Sequence, residues 1–179
     1  MNLVRTSKFL SLILRHKPET VGIALDPNGW VDVDVLLAGM ARRGHPLRYE
    51  QLVEVVETNN KKRFALSEDG KRIRAVQGHS RAVDLDLPPA APPTHLYHGT
   101  VERFIPSIRE QGLLRGTRQH VHLSPDRATA TIVGKRRGQP IVLTIDGSGM
   151  AGAGHLFYLS ENGVWLTEHV PVGFIVRWE

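Results

Sequence analysis

The sequence contains no cysteine, which excludes disulfides, thiolate zinc sites, iron–sulfur clusters and a cysteine nucleophile at once. It also lacks any apolar run of the roughly 18–20 residues that would cross a bilayer. The longest run, Phe9 to Leu14, follows Arg5 and Lys8 and ends at Arg15. No small-residue cleavage site comes after it, so it does not read as a secretory signal. A cytoplasmic protein with no membrane association is therefore expected. There is no internal repeat, and carboxylates are sparse around the motifs that carry chemistry below.

With 179 residues, 41% of them apolar, the chain can build one ordinary domain or two small ones. Its net charge of +5 and pI near 9.9 suit an anionic partner, of which nucleic acid is the commonest. The cations are 17 arginines against 6 lysines. Arginine grips a phosphate through a planar, two-bonded fork, whereas lysine is closer to a point charge.

Residues 81–95 read RAVDLDLPPAAPPTH, with four prolines within six residues. Such a stretch cannot form a helix interior or a central strand, so a semi-rigid linker is expected between lobes 1–80 and 96–179. In the first lobe Phe9, Leu10, Ile13 and Leu14 recur at helical spacing until Pro18. A second helix is expected from Asp32 or Asp34 to Gly44, and a third carries Leu52, Val53, Val55 and Val56. The runs 62–67 and 71–76, joined by Glu68-Asp69-Gly70, predict a basic hairpin. Three helices and a hairpin describe a winged-helix module, a usual nucleic-acid binder.

The second lobe reads as α+β with short strands. Strands are expected at 96–100, 120–124, 140–145, 164–167 and 174–178. One helix is expected to stop at Gly112, and another to run from Asp126 to Val133. Gly147-Ser-Gly-Met-Ala-Gly matches a dinucleotide-binding pattern. It is followed by more glycine and too little chain for a doubly wound sheet, so it is expected to be a loop. His120 and His122 share a strand face, but no third ligand stands at a recognisable spacing, so no metal is expected. Glu161 sits in a turn-like Glu-Asn-Gly and reads as a solvated carboxylate.

Several motifs occur in order: Leu14-Arg-His-Lys-Pro, Lys61-Lys-Arg-Phe, Gln77-Gly-His-Ser, Tyr97-His-Gly-Thr, Arg118-Gln-His-Val-His-Leu-Ser, Gly134-Lys-Arg-Arg-Gly and Gly163-Val-Trp-Leu-Thr. In this the chain closely resembles the NAD-dependent tRNA (RNA) 2′-phosphotransferases, from about Thr6 to Trp178. The resemblance implies a winged-helix RNA lobe, a C-terminal lobe with the ADP-ribosyltransferase fold, and an active site between them. It implies removal of an internal 2′-phosphate from RNA, as at a tRNA splice junction, by transfer to NAD. The products would be 2′-hydroxyl RNA, nicotinamide and ADP-ribose 1″,2″-cyclic phosphate, reached through an ADP-ribosylated RNA 2′-phosphate. NAD would be consumed as a co-substrate.

The family's essential Arg-His-Arg-Arg set falls on Arg15, His16, Arg63 and Arg136, with Arg137 an adjacent rival for the last place. Its NAD site falls on His98, Gly99, Thr100, His122, Ser124 and Val164. Protein-modifying relatives generally carry glutamate at the position of Val164, which argues against protein modification as the main activity. Gln77, Gly78, His79 and Ser80 are expected to line the substrate cleft, and Arg118 to meet an anionic group of NAD or RNA. A monomer is expected, since no association surface is evident.

The chemistry asks for these residue types. Attack of a phosphate oxygen on the nicotinamide ribose releases neutral nicotinamide and needs positioning more than acid catalysis. Expulsion of the RNA 2′-oxygen then builds negative charge on phosphate oxygens, which arginines stabilise. His16 can move a proton at neutral pH; whether it removes one, supplies one or holds the phosphate stays open. Most of the 17 arginines are surface groups, and only motif context singles out Arg15, Arg63 and Arg136. Two other readings remain at this stage. One is an ADP-ribosyltransferase that leaves its product on a nucleic-acid terminal phosphate or a protein. The other is a winged-helix regulator that senses NAD.

Overall fold

The first helix, α1 (Leu3–Arg15), opens where the Asn2 side chain accepts from the Arg5 N–H at 3.0 Å, relieving one of the unpaired donors of a helix start. Leu10, Ile13 and Leu14 are all fully buried along its inner stripe, each burial stabilising by roughly 1.5–3 kcal/mol. A short 3₁₀ turn at Pro18–Val21 follows, since proline cannot continue the helix but suits a first turn. The computed structural model describes all residues, 1–179. The architecture is α+β, and the chain divides into two compact units, Met1–Asp86 and Leu87–Glu179.

The first unit continues with β1 (Val31–Asp32), α2 (Val33–Arg42), α3 (Tyr49–Thr58), β2 (Phe64–Leu66) and β3 (Arg72–Ala75). Asp32 caps α2 by accepting from the Asp34 N–H. Gln51 accepts from the Arg48 N–H at the start of α3. The hairpin pairs Phe64 with Ala75 and Leu66 with Ile73. The sheet order is β1-β3-β2, all antiparallel. Strand β1 was not foreseen, because two residues carry no alternation to read. The α1 stripe packs on Leu36, Met40, Leu52, Val55, Phe64 and Ile73.

The second unit begins with β4 (His95–Val101), α4 (Ile105–Gln111), β5 (Leu113–Leu114), β6 (Val121–Leu123) and α5 (Arg127–Lys135). It ends with β7 (Pro140–Asp146), α6 (Gly147–Gly152), β8 (Phe157–Leu159), β9 (Trp165–Thr167), β10 (His169–Val170) and β11 (Ile175–Trp178). Its sheets are β11-β7-β4, β6-β9-β8 and a two-stranded pair, β10-β5. Tyr97 and Ser124 exchange both backbone bonds, at 2.9 and 2.7 Å, and so tie β4 to the end of β6. Leu96, Leu123, Leu143, Ile145, Met150 and Phe157 fill the core between these layers. Gly99 lies where α5 crosses β4. A Cβ there would overlap the Ala130 carbonyl oxygen, so only glycine permits this approach.

One expectation needs correction. Residues 147–152 form the short helix α6, not a loop. Asp146 accepts from the Gly149 N–H at 2.8 Å and Met150 is fully buried, so a cap and an apolar anchor override the poor helix propensity of glycine. The proline-rich stretch is hydrogen-bonded on both sides of the boundary between the units. The Asp84 N–H donates to Pro27 in the first unit, and the Ala90 N–H donates to Phe157 in the second. Proline lacks a donor, but its neighbours do not. No helix is long and apolar enough to cross a membrane.

Candidate active site

In the first unit the site grows from the end of α1. A helix leaves its last carbonyls without partners inside it, and here two are taken by a segment far along the chain. The Ser80 N–H donates to the Arg15 carbonyl at 3.1 Å, and Arg81 Nε donates to the His16 carbonyl at 3.0 Å. The Ser80 hydroxyl lies 2.9 Å from His16 Nδ1. Arg81 is itself held by Glu19 at 2.6 Å. Gly78 makes the preceding turn with φ 85°, a left-handed conformation that side chains with a Cβ rarely adopt.

His79 is 2% exposed, and neither ring nitrogen makes a hydrogen bond. Burial, followed by the charges of Arg15, His16 and Arg74, pushes its pKa down to about 4. It is therefore a neutral interior ring among cations. Gln77 is half-buried and Gly78 buried. Arg63 stands just before β2, and its carbonyl accepts from the Val76 N–H at 3.0 Å, one residue before Gln77. It lines a cavity of about 390 Å³ with Lys8, Asn60 and Lys61. The structure thus joins Arg15, His16, His79 and Ser80 into one cluster and sets Arg63 at the open end of the hairpin.

Sequence reasoning missed Arg74. Its guanidinium lies 4.6 Å over the Trp30 ring, and it is buried beside Ile73, also buried, on the same strand. An arginine breaking the in–out alternation of a strand leaves no signal until the strand's pairing is known.

In the second unit His98 stands on β4, and its Nδ1–H donates to the His122 carbonyl at 3.0 Å. A carbonyl can only accept, so Nδ1 carries the proton and Nε2 the lone pair. Burial pushes the His98 pKa down; the His122 bond opposes that, and Arg137 and Arg118 add to it. An Arg118 guanidinium nitrogen donates to His122 Nδ1 at 3.1 Å. Although Arg118 is exposed as a residue, partial desolvation and then the charges of Arg137 and Arg136 push its pKa down. Three guanidinium groups therefore act on one neighbourhood. Arg136 caps the C-terminus of α5, and Arg137 lies 5.7 Å over the Phe104 ring.

Thr100 is buried at 4% exposure, and Ser124 is half-buried beside Tyr97. Val164 immediately precedes β9, with its N–H donating to the Ser160 hydroxyl at 3.0 Å. Gly99 packs against α5, so its geometry is explained by packing. His120 faces a separate cavity of about 330 Å³ with Arg115, His155, Tyr158 and Glu168. Burial and Arg115 lower its pKa, and Glu168 opposes them.

Two comparisons with known proteins bear on what these clusters do. The family description "RNA 2′-phosphotransferase, Tpt1 / KptA family" matches residues 1–169. A probable RNA 2′-phosphotransferase of Pseudomonas aeruginosa (strain UCBPP-PA14) is 61% identical over 171 residues, 95% of this chain and 94% of its own length. One from Rhodopirellula baltica is 58% identical over 174 residues, 97% and 95% of the two chains. One from Streptomyces griseus is 54% identical over 180 residues, again 97% and 95%.

Proposed function

The chain belongs to the RNA 2′-phosphotransferase family, and from that premise we propose that it removes an internal 2′-phosphate from RNA by transferring it to NAD. The family match over residues 1–169 carries this reading. It makes the protein a transferase acting on RNA, and the geometry of each cluster supports the finer steps. The C-terminal unit is taken as an ADP-ribosyltransferase-like NAD lobe and the N-terminal unit as a winged-helix RNA lobe.

The donor set of the second unit fits NAD. A neutral His98, with Nδ1–H held by the His122 carbonyl, offers Nε2 as an acceptor for a ribose hydroxyl. It adds no positive charge beside an anomeric carbon that is becoming cationic. Arg118, whose pKa is lowered partly by Arg137 and Arg136, belongs to a cationic neighbourhood suited to a pyrophosphate. NAD supplies the ribose as electrophile and nicotinamide as a neutral leaving group. The residues His98, Thr100, His122 and Ser124 orient that ribose, which is a positioning task.

Arg15 and Arg63 are the first unit's candidates to hold the RNA phosphate, and Arg136 is the second unit's candidate to stabilise its oxygens as they gain charge. The first transfer leaves an ADP-ribosylated RNA 2′-phosphate. In the second, the ribose 2″-hydroxyl attacks phosphorus and the RNA 2′-oxygen departs, giving 2′-hydroxyl RNA and ADP-ribose 1″,2″-cyclic phosphate. His16 handles the proton. Each well-placed arginine is worth on the order of 10³-fold in such a step. No metal is assigned a part.

The test is incubation of the protein with a 2′-phosphorylated oligoribonucleotide and NAD, with products identified by mass. Release of nicotinamide and appearance of a 2′-hydroxyl RNA and the cyclic phosphate are expected. ADP-ribose retained on the RNA as the end product would instead favour a one-step transferase.

A further inference from the structure

Ser80 makes two bonds to the end of α1 through different atoms. Its N–H takes the carbonyl of Arg15 at 3.1 Å, and its hydroxyl meets Nδ1 of His16 at 2.9 Å. The two residues it engages are consecutive. In the reading above, one holds phosphate and the other moves a proton. Sixty-four positions separate His16 from Ser80, so this contact exists only through the fold. We propose that Ser80 is a positioning residue: its backbone anchors Arg15 and its hydroxyl orients the His16 ring for proton transfer at Nε2.

A hydroxyl suits this place for a chemical reason. It both donates and accepts. When His16 is neutral with its proton on Nε2, Nδ1 accepts from the Ser80 O–H. When His16 is protonated, Nδ1–H donates to the Ser80 oxygen. The bond survives either state, so the ring keeps its orientation while Nε2 gains or loses a proton. A carboxylate here would favour the Nδ1–H form and stabilise the cation. An apolar residue would remove this bond to Nδ1. Next along the chain, Arg81 donates to the His16 carbonyl and pairs with Glu19. These bonds fix the backbone against which the ring is turned.

Ser80 is exposed, so trimming its side chain leaves no core cavity, and Ser80→Ala keeps the backbone bond to Arg15. The proposal rests on the reading of His16 as the proton-handling group, and its test separates the two. Wild type, Ser80→Ala and Ser80→Thr are compared in kcat and KM with a 2′-phosphorylated oligoribonucleotide and NAD. The ring ¹⁵N shifts of His16 are recorded in the full-length protein, assigned with a His16→Gln control.

Ser80→Ala is expected to lower kcat by about 10- to 100-fold, in line with a misoriented catalytic group, with KM for the RNA within about twofold. Ser80→Thr should restore most of kcat, and the His16 shifts should move in the alanine variant and not in the threonine one. A kcat for Ser80→Ala within about twofold of wild type would overturn the proposal. So would unmoved His16 shifts, or equal losses in the two variants. Ser80→Cys, close in shape but a much weaker hydrogen-bonding group, repeats the test if alanine loses the fold. If the wild-type protein transfers no phosphate to NAD, the proposed reaction fails, and the nitrogen shifts still decide whether Ser80 orients His16.

Discussion

His98 donates its Nδ1–H to the backbone carbonyl of His122 at 3.0 Å, so one strand sets the tautomer of a histidine on another. The link is possible because the paired Tyr97–Ser124 bonds bring β4 beside the end of β6. The consequence is a ring that stays neutral and presents a lone pair at Nε2, since burial also pushes its pKa below the usual histidine value.

His98→Ala should therefore damage the use of NAD more than the use of RNA. A lost hydrogen bond to a ribose hydroxyl corresponds to about a 10-fold reduction in kcat/KM for NAD, and more where orientation is lost as well. Steady-state kinetics with NAD varied provide the check. Because its pKa is lowered, His98 should contribute no acid limb to the rate profile at or above the usual histidine range.

Arg136 and Arg137 separate by single substitution. Arg136→Ala is expected to lower turnover by about 10²- to 10³-fold, the scale of a lost transition-state donor. Arg137→Ala is expected to stay within about 10-fold and to show mainly as weaker NAD binding, because its charge acts on both His98 and Arg118. Reversal of that order in product-formation assays would move the fourth catalytic place to Arg137.

His16→Ala and Arg63→Ala should slow the second transfer more than the first, so that ADP-ribosylated RNA accumulates. Gel analysis of single-turnover reactions reads this directly. Falling turnover with no detectable intermediate in either variant would refute the assignment.

His79 predicts a pH dependence of stability. Its folded pKa of about 4 lies below the unfolded value of 6.5, so folding favours the neutral ring. The stabilisation is complete above about pH 6.5 and is lost progressively as pH falls towards 4, by at most roughly 3 kcal/mol. His79→Leu, which leaves no ring nitrogens to bury unpaired, should flatten the decline in Tm between pH 7 and 5. Parallel declines in the two proteins would exclude His79 as the source.

Gly99→Ala should destabilise the second unit by about 3 kcal/mol, at the upper end of ordinary overpacking, because the added carbon overlaps the Ala130 carbonyl. Thermal unfolding measures this, and an unchanged Tm would mean that α5 can shift away at little energetic cost.

The sequence was most legible where signals are local. The stripe Leu10, Ile13, Leu14 announced α1, Asp32 marked the start of α2, and Glu68-Asp69-Gly70 marked the hairpin turn. Strands β1, β5, β8 and β10 were not seen, being two or three residues long, too short for a period of two to register. Helix α6 was misread, because its glycines speak for a loop, while the Asp146 cap and the burial of Met150 come from context. Arg74 went unnoticed because burial of a strand arginine against Trp30 depends on which face the pairing turns inward.

By itself the sequence determined the α+β character, the positions of the longer elements, the basic and arginine-rich balance, and the ordered motifs that carry family membership. Periodicity, caps and turn residues act over a few positions, so they can be read along the chain. Tertiary structure alone decided which nitrogen of His98 bears a proton, that His79 is buried and neutral, and that Ser80 meets His16. Those outcomes depend on partners tens of residues away, and hydrogen bonding and burial respond to distance in space, whatever the separation along the chain.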